Sequence, residues 1–253
     1  MQAPKLSVIT VNYNNLAGLE RTFQSVFTQS RFDAIEYIVM DGGSNDGSKE
    51  LIEQHAGKIS FWVSERDNGL YHAMNKGMQR ATGDYLWFMN SGDAMFDRES
   101  AAQAIEAAEK GAAFIYGDTM FIQPDGREIG LMSRVTPKKL PAAAGPHTFR
   151  FGMNICHQSV VVRRDLAPPY DESYRMVADI DWIIRILKQR PVSACTPGPL
   201  ARFELGGISQ QRIRSSWKER FRVLSHHFGL IPTVVRHGWL FLRKIGFDLR
   251  HKS

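Results

Sequence analysis

Along the first hundred residues, short apolar runs alternate with stretches whose apolar positions recur every three to four residues. The runs at 6–11, 36–40, 59–63 and 85–89 have the length and the β-branched or aromatic content of buried strands. Between them, 16–29 places Leu19, Phe23, Val26 and Phe27 on one helical face, 48–57 follows Asp46 as an N-cap, and 70–81 forms a third helix. An Ala-rich helix over 98–111 leads into a strand at 113–116. This alternation predicts an α/β fold of βαβ units, with a mainly parallel open sheet and helices on both faces. The second half is less regular. It reads as a hairpin over 119–131 around Pro124-Asp125-Gly126, a loop over 136–152 and a strand at 157–162. A helix at 178–189 and a flexible stretch at 202–211 holding Gly206-Gly207 complete it.

Three of these strands end in small polar loops. The first runs into Asn12-Tyr13-Asn14, the second into Asp41-Gly42-Gly43-Ser44, and the fourth into Asn90-Ser91-Gly92-Asp93. An open α/β sheet places ligand chemistry in the crevice beyond the carboxyl ends of its strands, so this edge predicts a polar site. Asp41 serves equally as a turn-former and as an acceptor for a ligand base, with Gly42 and Gly43 permitting close approach. Asp67-Asn68-Gly69 lies between a strand and a helix and reads as a further β-to-α loop at the same edge, with Asp67 favoured as a ligand contact. Ser91 and Asp93, at i and i+2, can both point into one site, and Asp is a hard oxygen ligand suited to Mg2+ or Mn2+. Asp179 and Asp181 open the helix at 178–189. Either they favour the helix dipole, worth ~0.3–1 kcal/mol when exposed, or one of them, but not both, is a general base. His147 and His157 lack a metal-ligand spacing and read as core or loop residues.

Composition narrows the class. Of the 253 residues, 43% are hydrophobic, which supports a substantial core and argues against disorder. The glycine fingerprint of dinucleotide binders is absent, which disfavours a nicotinamide oxidoreductase. Cys156 and Cys195 are expected to be small buried hydrophobes in a reducing cytoplasm. The apolar run near the N-terminus is patterned as a strand, so no signal peptide is expected, and no uncharged run approaches the roughly 18 residues that span a bilayer. The net charge of +6 conceals an asymmetry: residues 212–253 hold ten Lys/Arg against two Asp/Glu, while the remainder is nearly balanced. Trp217, Phe221, Phe228, Trp239, Phe241 and Phe247 lie among these cations. That is the pattern of a basic amphipathic helix on an anionic membrane surface; the alternative is aromatics packed on the preceding domain. A nucleic-acid partner is disfavoured, since carboxylate-bearing strand ends repel phosphates unless metals intervene.

As an ordered series, the motifs carry more than each does alone. They are Ser7-Val8-Ile9-Thr10-Val11-Asn12-Tyr13-Asn14, Asp41-Gly42-Gly43-Ser44-Asn45-Asp46-Gly47-Ser48 and Glu65-Arg66-Asp67-Asn68-Gly69-Leu70-Tyr71. Ala73-Met74-Asn75-Lys76-Gly77, Asn90-Ser91-Gly92-Asp93 and Ala178-Asp179-Ile180-Asp181-Trp182 follow. With them the chain resembles the inverting family-two glycosyltransferases of GT-A fold over roughly residues 5–211, and most resembles the bacterial branch that builds exopolysaccharides, colanic-acid-type enzymes included. The resemblance implies a GT-A domain at 1–211, its nucleotide-sugar half at about 1–117 and its acceptor half at about 118–211, followed by a basic helical tail at 212–253. It implies a nucleotide-sugar donor, UDP-linked, and a saccharide or polyprenyl-linked acceptor, at the inner face of the cell membrane.

The resemblance also assigns roles. Val11, Asn12 and Tyr13 flank the nucleoside, Asp41 meets its base, Asp67 lies near base and ribose, and Asp93 binds Mn2+ or Mg2+. Thr10, Gly42, Asn68, Ser91 and Gly92 complete the donor-binding set. Asp179 is the catalytic base, with Asp181 as the alternative, and 202–211 closes over the substrates. Three positions depart from the family pattern. Ser91 stands where the metal motif has its first carboxylate, His72 where this branch often has Asp, and Ala178 where many relatives have Glu. The lost carboxylate makes a catalytically silent nucleotide-sugar-binding partner the rival to an enzyme.

Overall fold

In the computed structural model, which describes residues 5–207 and 213–238, the alternation of the first half becomes one side of a seven-stranded sheet. The strands are β1 (Leu6–Asn12), β2 (Ile35–Asp41), β3 (Phe61–Ser64), β4 (Tyr85–Phe88), β5 (Ala94–Met95) and β6 (Phe114–Tyr116). β7 (Thr119–Ile122), β8 (Glu128–Leu131), β9 (Val160–Arg163), β10 (Ser193–Cys195) and β11 (Ala201–Glu204) follow. The helices are α1 (Leu16–Phe27), α2 (Ser48–Gln54), α3 (Leu70–Arg80), α4 (Ser100–Glu109), α5 (Met132–Val135), α6 (Ala178–Lys188) and α7 (Ile213–Phe228). The large sheet runs β10-β6-β9-β4-β1-β2-β3, and a smaller one runs β5-β11-β7-β8. Every pairing in the large sheet is parallel except those of β9 with β4 and β6.

The two faces of β1 and β2 follow the period of two along a strand. Ile9, Val11, Ile38 and Met40 pack on one side with Met74 of α3, Ile180 and Ile183 of α6, and Val223 and Leu224 of α7. Leu6, Val8, Tyr37 and Val39 pack on the other with Leu19, Phe23 and Val26 of α1, Ile52 of α2 and Ile105 of α4. Both strands are buried throughout, as expected of parallel strands covered on two faces. Asp46 ties the first two units together: Oδ2 accepts from Leu16 N at 2.9 Å and Oδ1 from Ser48 N at 3.1 Å, so one carboxylate binds the first N–H of both helices. The N-cap positions themselves are Asn15 and, in place of the expected Asp46, Gly47.

The second half departs from its expected outline. Residues 157–159 form a 3-10 turn, and pairing starts only at Val160. The reason is His157, whose ring is buried among Phe88, Tyr170 and Trp182 and hydrogen-bonded to Tyr170. The stretch expected to be flexible opens as a strand instead, with Arg202–Glu204 held between β5 and β7; 208–211 lie outside the described residues. Cys195 is exposed, contrary to expectation, whereas Cys156 is buried.

The basic segment is helical at 213–228 and again at 230–238; 239–253 lie outside the described residues. α7 sits on the core. Val223 and Leu224 are fully buried, and Glu219 accepts the backbone N–H groups of Arg175 and Met176 just ahead of α6. No helix among the described residues is long and apolar enough to cross a membrane.

Candidate functional site

At the carboxyl edge of the large sheet, Asn12 and Asp41 are register partners at the ends of β1 and β2. Asn12 Nδ2 donates to Asp41 Oδ1 at 2.8 Å. Ser44 Oγ and Ser64 Oγ donate to the same carboxylate, each at 2.6 Å, and the backbone N–H groups of Gly43 and Ser44 add two more bonds. Burial pushes the Asp41 carboxyl up, but these donors outweigh it and leave the pKa below the ordinary value. Asp41 therefore organises the loop, with its acceptor positions already engaged by the protein. Thr10 is not brought to the edge: it is buried within the sheet and bonded to Tyr37 Oη at 2.9 Å. Val11 is likewise a core residue.

Tyr13 is the opposite case, 68% exposed at the mouth of the edge. Its ring lies against Gly42, where a Cβ would stand 3.1 Å from Cδ2. An exposed ring resting on backbone is available for stacking. If it carries a nucleobase, Tyr13→Ala should weaken UDP binding by ~1–3 kcal/mol, read by titration calorimetry. Asp67 is held by Lys76 Nζ at 2.8 Å and His72 Nδ1 at 3.3 Å, and Asn68 O accepts from Arg175 Nη1 at 2.6 Å. The 67–69 loop is thus tied to the segment that precedes α6.

The Ser91-Gly92-Asp93 loop is fixed from two sides. Ser91 Oγ donates to Asn15 O at 3.1 Å, so the hydroxyl faces the start of α1. Gly92 has φ of 102°, and a Cβ there would meet Asn15 Nδ2 and Glu204 Oε2 at 3.3 Å. Asp93 is buried, and Oδ1 accepts from Glu204 N at 3.0 Å. Burial pushes its pKa up to about 8; bonds from Glu204 N and the Gln158 side chain oppose the rise, while the nearby Glu204 carboxylate adds to it. Arg21 pairs with that Glu204 carboxylate and also donates to Gly92 O at 3.2 Å.

The two carboxylates of α6 part company. Asp181 is buried between Arg185 Nε and His227 Nε2, each at 2.7 Å, and fastens α6 to α7. Burial raises its pKa, but His227 and Arg185 more than reverse this. Asp179 is half-buried. Oδ1 accepts from Ile180 N at 2.9 Å and, weakly, from Tyr71 Oη at 3.4 Å. Burial pushes its carboxyl up to about 6, against the opposing pull of the Ile180 N–H and Arg220. A half-buried carboxylate that is deprotonated near neutral pH has the properties of a general base.

The sequence profile described as "Glycosyl transferase family 2" matches residues 7–167, more than half of the chain. The chain belongs to glycosyl transferase family 2. A glycosyltransferase of Mycobacterium bovis named for PGL/p-HBAD biosynthesis is 30% identical over 252 residues, covering 93% of this family 2 chain and 90% of its own. An uncharacterised glycosyltransferase of Mycobacterium tuberculosis is 45% identical over 105 residues. That match covers 42% of this chain and 40% of the relative, so the chain spans about two-fifths of that relative's length. Among solved structures, S. aureus TarS 1–349 in complex with UDP-GlcNAc aligns with a TM-score of 0.71 at 14% identity, over 97% of this chain and 75% of that one. The mannosyltransferase PcManGT from Pyrobaculum calidifontis, in complex with GDP-Man and Mn2+, gives 0.65 at 16% identity, over 98% and 81%. At such identities the likeness is one of fold, and the fold is GT-A.

For a family 2 chain the metal position can be tested on the residues present. Among the described residues no group of three or more His, Cys, Asp or Glu could hold a metal ion. Asp93 nonetheless fits a cation: its carboxylate is buried without a basic partner of its own, and Asn90 Oδ1, at the end of the same strand, is buried with no hydrogen-bond partner. One or two protein oxygens, with phosphates supplying the rest, is the usual arrangement for Mg2+ on nucleotide substrates. No motif or spacing marks Arg21, Gln158, Glu204 or Arg220. Gln158, Glu204 and Arg220 come from the less regular second half, while Arg21 lies on α1 and reaches the site through Glu204 and Gly92 O.

Proposed function

We propose that this family 2 chain is a metal-dependent, inverting glycosyltransferase. It moves a sugar from a nucleotide-sugar donor, UDP-linked, to a hydroxyl of a saccharide or lipid-linked acceptor in polysaccharide assembly. The observation that carries the reading is Asp179, a half-buried carboxylate at the start of α6 with a pKa raised to about 6. Asp179 takes the proton of the acceptor hydroxyl as that oxygen attacks the sugar C1. The nucleoside diphosphate leaves from the opposite face, and a single displacement inverts the anomeric centre. Mn2+ or Mg2+ held by Asp93 would neutralise charge growing on the departing diphosphate. Asn12, Tyr13 and the Asp41 loop shape the nucleoside end. Solved neighbours of the same fold in complex with UDP-GlcNAc, and with GDP-Man and Mn2+, support a nucleotide-sugar donor and a divalent ion.

The test is release of nucleoside diphosphate from UDP-, GDP- and dTDP-sugars, with and without Mn2+ and with added acceptor. Metal-dependent release from one donor, most with UDP, is the expected result. Binding of a donor without turnover under every condition would favour the silent binding partner.

The proposal extends to the inner face of the cell membrane. On the helical segment 230–238, Leu230, Ile231, Val234 and Val235 are each more than half exposed and recur at helical spacing, within a basic region. That surface suits insertion at an anionic lipid interface. Ile231→Asp with Val235→Asp should abolish co-flotation with vesicles containing phosphatidylglycerol while leaving donor hydrolysis in solution unchanged.

A further inference from the structure

Arg220 of α7 has a position that the donor chemistry leaves unexplained. Its Nε is buried and has no hydrogen-bond partner. The side chain passes over Gly152, where a Cβ would stand 3.6 Å from Cδ and 3.8 Å from Nη1, and its guanidinium lies 5.9 Å from the Trp217 ring. Burial lowers its pKa, and the only charge opposing that is Asp179. Lys138, from the 136–152 segment, is half-buried nearby, its ammonium pKa lowered first by burial and then by Arg220 itself. Neither cation forms an ion pair among the described residues.

Two desolvated cations with a single facing carboxylate, Asp179, leave positive charge uncompensated, which is costly unless an anion joins them. A guanidinium fork beside an ammonium point charge matches phosphate oxygens. Arg220 is the member of the pair that faces the charge of Asp179, and Gly152 belongs to the segment leading into β9, two strands away from the Asn12–Asp41 edge. We infer that Lys138 and Arg220 form an anion subsite on the acceptor side of Asp179, which takes a phosphate or diphosphate group carried by the acceptor. This rests on the reading of Asp179 as the base facing the acceptor. The donor's own diphosphate is the other source of the same chemistry.

Inorganic pyrophosphate, titrated calorimetrically into the metal-free chain with and without saturating UDP, separates the two sources. The expected result is pyrophosphate binding that persists with UDP present and weakens roughly tenfold or more in Arg220→Gln and in Lys138→Gln. Arg220→Lys should retain part of the affinity, and Lys139→Gln, at an exposed neighbouring position, all of it. Melting curves confirm that each variant is folded. Displacement of pyrophosphate by UDP would give the subsite to the donor and overturn the inference, as would binding unchanged in both variants. UDP titrated alone into the wild type reads the donor assignment separately.

Discussion

Asp179→Asn is expected to lower sugar transfer by ~10²–10⁴-fold while leaving UDP binding unchanged, because a general base contributes about that much and does not touch the nucleotide. In the wild type, kcat/KM should rise with pH through about 6 and then level, since burial holds the carboxyl protonated below that value. Asp181→Asn should behave in the opposite way. It removes the charge that faces Arg185 and His227, so it should cost ~1–3 kcal/mol of stability yet leave turnover per folded molecule near wild type. Turnover and thermal unfolding measured on both variants decide between the two carboxylates. Loss of turnover in Asp181→Asn with unchanged melting would reverse the assignment.

The second large effect is expected at Asp93. With its pKa raised from 3.8 to about 8, the metal-free protein carries a proton on Asp93 through most of the neutral range. The folded state binds that proton more tightly than the unfolded chain does. Asp93 therefore contributes a stability that is present below about 4 and lost as pH climbs through about 8. A divalent ion takes the place of the proton, so Mn2+ affinity should increase by about tenfold per pH unit below that value. Mn2+ should also restore melting temperature most at the alkaline end. Asp93→Asn should flatten the pH dependence of melting, abolish the Mn2+ shift and lower transfer by about 100-fold or more. A Mn2+ shift that survives the substitution would remove Asp93 from the metal position.

The first half was legible because its signals are local. β1 and β2 are continuous apolar runs ending in polar loops, and helix periodicity fixes which side of α1 and α3 faces them. β5, β10 and β11 are only two to four residues long, and they pair with partners far away in sequence, so no local pattern announces them. The antiparallel insertion of β9 between β4 and β6 is equally a property of the assembled sheet. At the site, position along the chain identified the strand ends but not the state of each side chain. Asp41 and Asp181 are bound up with their neighbours, and Asp93 and Asp179 are the acids left under strain of burial. That division depends on which donors lie within reach, and only the packed structure supplies it. The same holds for α7: its basic residues drew attention, while its contribution to the core rests on Val223 and Leu224.

The shared apolar layer beneath α3, α6 and α7 bears on how such a molecule can be rebuilt. Ile9, Val11, Ile38 and Met40 of the first half lie under α3, and the layer continues beneath α6 and α7, which arrive more than a hundred residues later. A fragment ending near residue 117 would keep α3 but leave the part of the layer that α6 and α7 cover open to water and prone to association. Swapping second halves between relatives therefore requires carrying the whole of α6 and α7 along with matching strand residues beneath them. Recombination at the apparent midpoint would split that layer between parents, whereas exchange of the 119–131 hairpin alone, which belongs to the small sheet, leaves it intact.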